Sequence, residues 1–204
     1  MKKESQANST KDFQGDSNFR QELSNELIDA TRIDLEKLSA QEQLQWGYKK
    51  FKENFVVTTS FGIQSAVLLH MTGILESRKK PKGIWIDTGY LPEETYIYAE
   101  KLTKLFELDL IVVQSSLSPA RMEALHGRLW ETGSKEDLEK YHQIRKVEPL
   151  EKALSELNVR CWASGVRKAQ TQNRKSMNSI DFIRDRFAIR PLLNWSKKEI
   201  FYYM

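Results

Sequence analysis

The sequence has a single cysteine, Cys161, in 204 residues, so it can form neither an intrachain disulfide nor a cysteine-based metal site. A four-thiolate iron–sulfur cluster is likewise excluded within it. Only three histidines are present, His70, His126 and His142, and they fall at no metal-ligand spacing. His70 reads as structural on an apolar helix; His126, near Gly127 and Trp130, is held loosely as a group that could approach a ligand. No apolar run approaches the length of a membrane span. Residues Met1 to Ser17 are too polar for a secretory signal, and the absence of any address favours the cytoplasm.

The residues present describe one main domain. Hydrophobic residues make up 40% and charged residues 29%, a balance that suits a folded chain with a polar tail. The expected organisation is a flexible leader over 1–20, a helical N-terminal layer over 21–54, and a main domain over 55–204. Leu23, Leu27, Ile28 and Leu35 give an uneven helical period in the second of these. Ala40 to Asn54 is more clearly helical, with Ser39 and Glu42 as a capping box.

From Phe55 the pattern alternates. Strands are expected at Phe55–Thr59, Gly83–Ile86, Asp109–Gln114, Val159–Val166 and Phe187–Leu193. Helices are expected after Ser65, from Pro92 to about Glu107, over Pro119–Trp130 and over Pro149–Leu157. The charged stretch Glu131–Tyr141 reads as a surface loop or short helix. Such alternation predicts an α/β fold, a Rossmann-like parallel sheet with helices on both faces.

Ligands of such folds bind outside the carboxyl ends of the strands. The first strand ends in Ser60-Phe61-Gly62-Ile63-Gln64-Ser65, directly before a helix, where backbone amides and hydroxyls suit an anion. The second ends in Asp87-Thr88-Gly89, followed by Glu93 and Thr95 on the next helix; an acid there can accept ribose or base protons. The formal net charge is only +4, but Arg160 to Arg190 carries +6 and the remainder −2. If Lys168 onward is helical, Arg167, Gln170 and Arg174 share one face. Guanidinium forks on that face, with Lys146 nearby, suit sulfate and phosphate oxygens. Lys168 and Lys175 read as solvated.

The loop lacks the Gly-Lys-Ser/Thr ending of the common P-loop. It resembles the Ser-Gly-Gly-x-Asp-Ser loop of the adenine nucleotide α-hydrolase superfamily, with Phe61 for the first glycine and Gln64 for the aspartate. The missing acid speaks against ATP cleavage. Thr58-Thr59-Ser60-Phe61-Gly62-Ile63-Gln64 and Asp87-Thr88-Gly89-Tyr90-Leu91 together resemble the phosphoadenylyl-sulfate (PAPS) reductase family. So do Gly127-Arg128-Leu129-Trp130-Glu131, Lys146-Val147-Glu148-Pro149-Leu150, Gly165-Val166-Arg167 and Arg190-Pro191-Leu192-Leu193-Asn194-Trp195.

The resemblance implies a substrate site built from Ser60, Phe61, Gly62, Gln64, Ser65, Asp87, Thr88, Gly89, Glu93, Thr95, Lys146, Arg167, Gln170 and Arg174. It implies reduction of PAPS to sulfite and adenosine 3′,5′-bisphosphate, with reduced thioredoxin or glutaredoxin as donor and no bound cofactor. Tyr141 and His142 stand where one branch keeps paired cluster cysteines, which favours PAPS over adenylyl sulfate. The family's nucleophilic cysteine, in a Glu-Cys-Gly-type motif, has no counterpart here. Cys161 reads as a buried strand residue instead. The capping box of Ser196 and Glu199 opens a helix that Met204 ends early, which reads as a truncation. An adenylyl-sulfate reductase, an ATP-using sulfate adenylyltransferase subunit and a nucleic-acid-binding module are the competing readings. A homodimer is left open, and neither nucleic acid nor membrane is expected as a partner.

Overall fold

The structure, a computed structural model, describes residues 25–77 and 79–204. The leader expected over 1–20 lies outside the described residues, as do Leu23 and the side chain of Leu27. Six strands form one sheet: β1 (Phe55–Thr59), β2 (Lys82–Asp87), β3 (Leu110–Gln114), β4 (Cys161–Ser164), β5 (Ile180–Ile183) and β6 (Arg186–Ile189). The order is β3-β2-β1-β4-β6-β5, parallel except for the β5–β6 hairpin. The order reverses between β1 and β4, and that switch point opens a crevice at the carboxyl ends of both strands.

The α-helices among the described residues are α1 (Asn25–Glu36), α2 (Ala40–Phe51), α3 (Ser65–Gly73), α4 (Glu93–Leu105), α5 (Pro119–His126), α6 (Lys135–His142), α7 (Glu148–Glu156) and α8 (Lys197–Tyr203). Strand alternation divides them between the faces. Phe55, Val57, Cys161, Ala163, Phe187 and Ile189 pack with Leu35, Leu44, Leu68 and Ile200 from α1, α2, α3 and α8. Trp85 extends that face toward Ala99 and Leu102 of α4. Val56 and Ile84 point the other way, against Leu154 of α7. Each such fully buried aliphatic side chain contributes roughly 1.5–3 kcal/mol. Gly47 brings α2 onto the sheet: a Cβ there would stand 2.8 Å from the Phe55 ring.

Both capping boxes form as expected, Ser39 with Glu42 and Ser196 with Glu199. The charged stretch forms the second of its two expected alternatives, a short helix, α6, capped by Ser134. Three features differ from the sequence expectation. A π-helical turn, Gln143–Val147, joins α6 to α7. Lys168 onward forms two short 3-10 turns, Lys168–Gln170 and Gln172–Arg174, in place of a helix. The reason is local: the Gln170 side-chain amide oxygen accepts from the Arg167 backbone N–H at 3.1 Å and from the Arg174 guanidinium, closing the turn on itself. Finally, β5 is an edge strand absent from the expectation; with β6 it makes a hairpin through Arg184 and Asp185, both at positive φ.

Candidate functional site

A cavity of about 670 Å³ opens where the carboxyl ends of β1, β2 and β4 meet. Its walls are Thr58 to Ser60 from β1 and its loop, Trp85 and Ile86 from β2, and Ser164 to Val166 from β4. Of the residues expected at the site, Ser60, Gly62, Gln64, Ser65, Thr88, Lys146, Gln170 and Arg174 line it. Thr58, Ser164 and Gly165 line it as well and were not expected. Strand-end register was the available signal, since Thr58 stands opposite Ser164 across the β1–β4 pairing.

The loop after β1 is held by its own side chains. Ser65 closes it, its N–H and hydroxyl both donating to the Gly62 carbonyl, at 2.7 and 2.6 Å. Phe61 adopts φ 49°, a left-handed conformation that costs a non-glycine residue roughly 1–2 kcal/mol. Its ring is buried edge-on against Trp85, centroids 4.9 Å apart, and burying a phenyl ring contributes roughly 1.5–3 kcal/mol. The burial offsets the strain, so the phenylalanine supplies the turn that a glycine would otherwise make. Phe61 therefore shapes the loop from beneath and does not line the cavity.

Asp87 and Gly89 also stand behind the wall. The Asp87 carboxylate accepts from the Gly89 N–H at 2.8 Å, the Tyr96 hydroxyl at 2.7 Å and the Gln114 amide at 2.7 Å. Burial pushes its pKa up, but these three donors and the nearby Arg145 charge outweigh burial and hold it below the ordinary aspartate value. Gly89, at φ 73°, makes the turn that follows; a Cβ there would meet Pro119 at 2.7 Å and Arg145 at 3.0 Å. Glu93 is exposed at the start of α4 and Thr95 half-buried two residues later; neither lines the cavity.

Arg145 has no counterpart among the expected residues. It is 1% exposed, its Nε donates to the Thr88 carbonyl at 2.8 Å, and its two terminal nitrogens reach the carbonyls of Thr88 and Leu117. It clamps the end of β2 to the loop before α5. Its neighbour Lys146 is exposed and lines the cavity, because the π turn sends adjacent cations to opposite sides.

Arg167 lies behind the lining, 2% exposed. One terminal nitrogen, Nη2, donates to the Gln64 side-chain oxygen. Its Nε and Nη1 are buried with no hydrogen-bond partner, and no carboxylate pairs with it among the described residues. Burial alone pushes its pKa below the ordinary arginine value. The remaining basic residues of the segment have other occupations. Arg184 and Arg186 pair with Glu151, and Arg190 with Asp181 at 2.6 Å. Lys168 and Lys175 do not line the cavity.

Cys161 is fully buried within β4, and burial raises its thiol well above the ordinary value. Among the described residues no group of three or more His, Cys, Asp or Glu is disposed to hold a metal ion, and no helix is long and apolar enough to cross a membrane.

A family model for the phosphoadenosine phosphosulfate reductase domain matches residues 54–204. A phosphoadenosine 5′-phosphosulfate reductase of Synechococcus sp. is 50% identical over 166 residues, 81% of this chain and 71% of that protein. One from Vibrio cholerae is 41% identical over 170 residues, 83% of this chain and 66% of its own length. Among solved structures, the PAPS reductase of Candida auris, a phosphate complex, matches with a TM-score of 0.74 at 30% identity, covering 89% of this chain and 85% of that one. The NH3-dependent NAD synthetase of Campylobacter jejuni, at 14% identity and a TM-score of 0.54, shares the fold alone. Sheet order and crevice thus define an α/β protein with a mostly parallel six-stranded sheet, a fold shared with both structures. Within that class the chain belongs to the PAPS reductase family, oxidoreductases acting on a sulfur group.

Proposed function

We propose that the cavity at the β1–β4 switch point binds PAPS and that the protein serves its reduction to sulfite and adenosine 3′,5′-bisphosphate. The observation that carries this is Arg167, a buried guanidinium with two unpaired nitrogens directly behind the lining residue Gln64. A buried cation left without partners costs free energy that an anionic ligand recovers. Arg174 and Lys146 on the lining add charge for a second anionic group, as a nucleotide bearing a phosphosulfate and a 3′-phosphate requires.

The reaction needs a thiolate that attacks the sulfonate sulfur. A sulfur–sulfur bond forms, the bond to the phosphate oxygen breaks, and the bisphosphate leaves. A second thiol, from thioredoxin or glutaredoxin, then attacks the cysteine sulfur and releases sulfite, leaving a disulfide. Arg167, Arg174 and Lys146 stabilise charge on the leaving phosphate. Cys161 is not the nucleophile, being buried in the sheet and away from the cavity.

Titration calorimetry with adenosine 3′,5′-bisphosphate tests the reading. Arg167→Ala is expected to weaken binding by roughly 2–5 kcal/mol, the usual loss when a buried charge pair is broken. Equal affinity for wild type and variant would remove Arg167 from the site. Adenosine 5′-monophosphate binding as tightly as the bisphosphate would reassign the substrate to adenylyl sulfate.

A further inference from the structure

The one side-chain partner that Arg167 has among the described residues is a neutral amide, that of Gln64. The choice runs against the local electrostatics. Gln64 occupies the N-cap position of α3, where the helix dipole favours negative charge. A buried guanidinium beside it favours an acid further. A glutamate, of the same shape, would therefore serve the fold better than glutamine. It would also neutralise the cation.

We propose that Gln64 is a charge-sparing positioning residue: its neutral oxygen fixes the plane of the Arg167 guanidinium while leaving the full positive charge to an anionic sulfate or phosphate ester in the cavity. The Gln64 amide orients Nη2 and leaves Nε and Nη1, buried behind the lining, without a partner. The specificity of the site for an anion then resides in what Gln64 lacks, a charge, as much as in what Arg167 carries.

This rests on the cavity being the nucleotide site, and the experiment separates the two claims. Wild type, Gln64→Glu and Gln64→Met are compared for thermal stability, for binding of adenosine 3′,5′-bisphosphate by calorimetry, and for binding of neutral adenosine by ligand-observed NMR. Gln64→Glu is expected to melt at a higher temperature than wild type yet bind the bisphosphate about tenfold or more weakly, since its carboxylate consumes the arginine charge. Gln64→Met removes the hydrogen bond without adding charge, and is expected to lose less affinity than Gln64→Glu. Adenosine reports the rest of the cavity: a loss larger for the bisphosphate than for adenosine in Gln64→Glu is the charge effect expected, and an equal loss of both overturns the proposal. The proposal is overturned if Gln64→Glu binds the bisphosphate as tightly as wild type, or if Gln64→Met loses as much as Gln64→Glu. If wild type itself shows no preference for the bisphosphate over adenosine, the anion site falls and the proposal with it, before any variant is considered.

Discussion

Two buried charges with opposite circumstances define the chemistry at the level of single residues. Arg167 is short of partners, whereas Asp87 has three donors on its carboxylate. The second arrangement is a stability device and makes a pH prediction. Replacing Asp87 with Asn removes a charged acceptor and is expected to cost about 1.5–3 kcal/mol near neutral pH. The folded-state pKa of Asp87 lies below its unfolded value of about 3.9, so the carboxylate's contribution is fully present above that value and is lost as pH falls through the folded one. Urea denaturation across the acid range should show the gap between wild type and Asp87→Asn narrowing below about pH 4. A gap that stays constant to the lowest pH would assign the loss to packing instead.

Helix ends carry the next scale. After α4, Leu108 N–H donates to the Thr103 carbonyl at 3.0 Å and Phe106 N–H to Leu102 at 3.0 Å, while Glu107 sits at φ 50°. That is the left-handed helix stop in which glycine is the preferred residue. Glu107→Gly relieves the side-chain strain at some entropic cost and is expected to stabilise the fold by about 0.5–1 kcal/mol, read as a higher urea midpoint at unchanged slope. Elements whose signals are local were legible in the sequence: β1 from its apolar run, α2 and α8 from their capping boxes. Elements set by a distant or side-chain contact were not. The turns after Lys168 depend on where the Gln170 side chain bonds, and the π turn obeys no helical period. The candidate site divides the same way. Loop residues such as Ser60 and Gln64 announce themselves at a strand end. Arg145 stands in a charged stretch with nothing to separate a buried clamp from a solvated cation.

At the scale of the whole molecule the sheet keeps its chemistry at one end and its inert thiol in the middle. Cys161 pairs with Phe55 on one side and Phe187 on the other, with α2 and α3 contributing to the core above it. No local fraying reaches it, since exposure requires the central strands to separate. The native protein is expected to be silent toward a thiol reagent such as dithionitrobenzoate, and to release one equivalent of chromophore in denaturant. Rapid labelling under native conditions would place Cys161 in a region that opens on its own. The same burial makes the residue a stopwatch. With reagent in excess, the labelling rate becomes the rate at which the protein opens globally, timed by an atom already in place. A nucleotide that binds only the closed form slows the population of that open state by its degree of saturation, so the same thiol registers occupancy of a cavity it never touches.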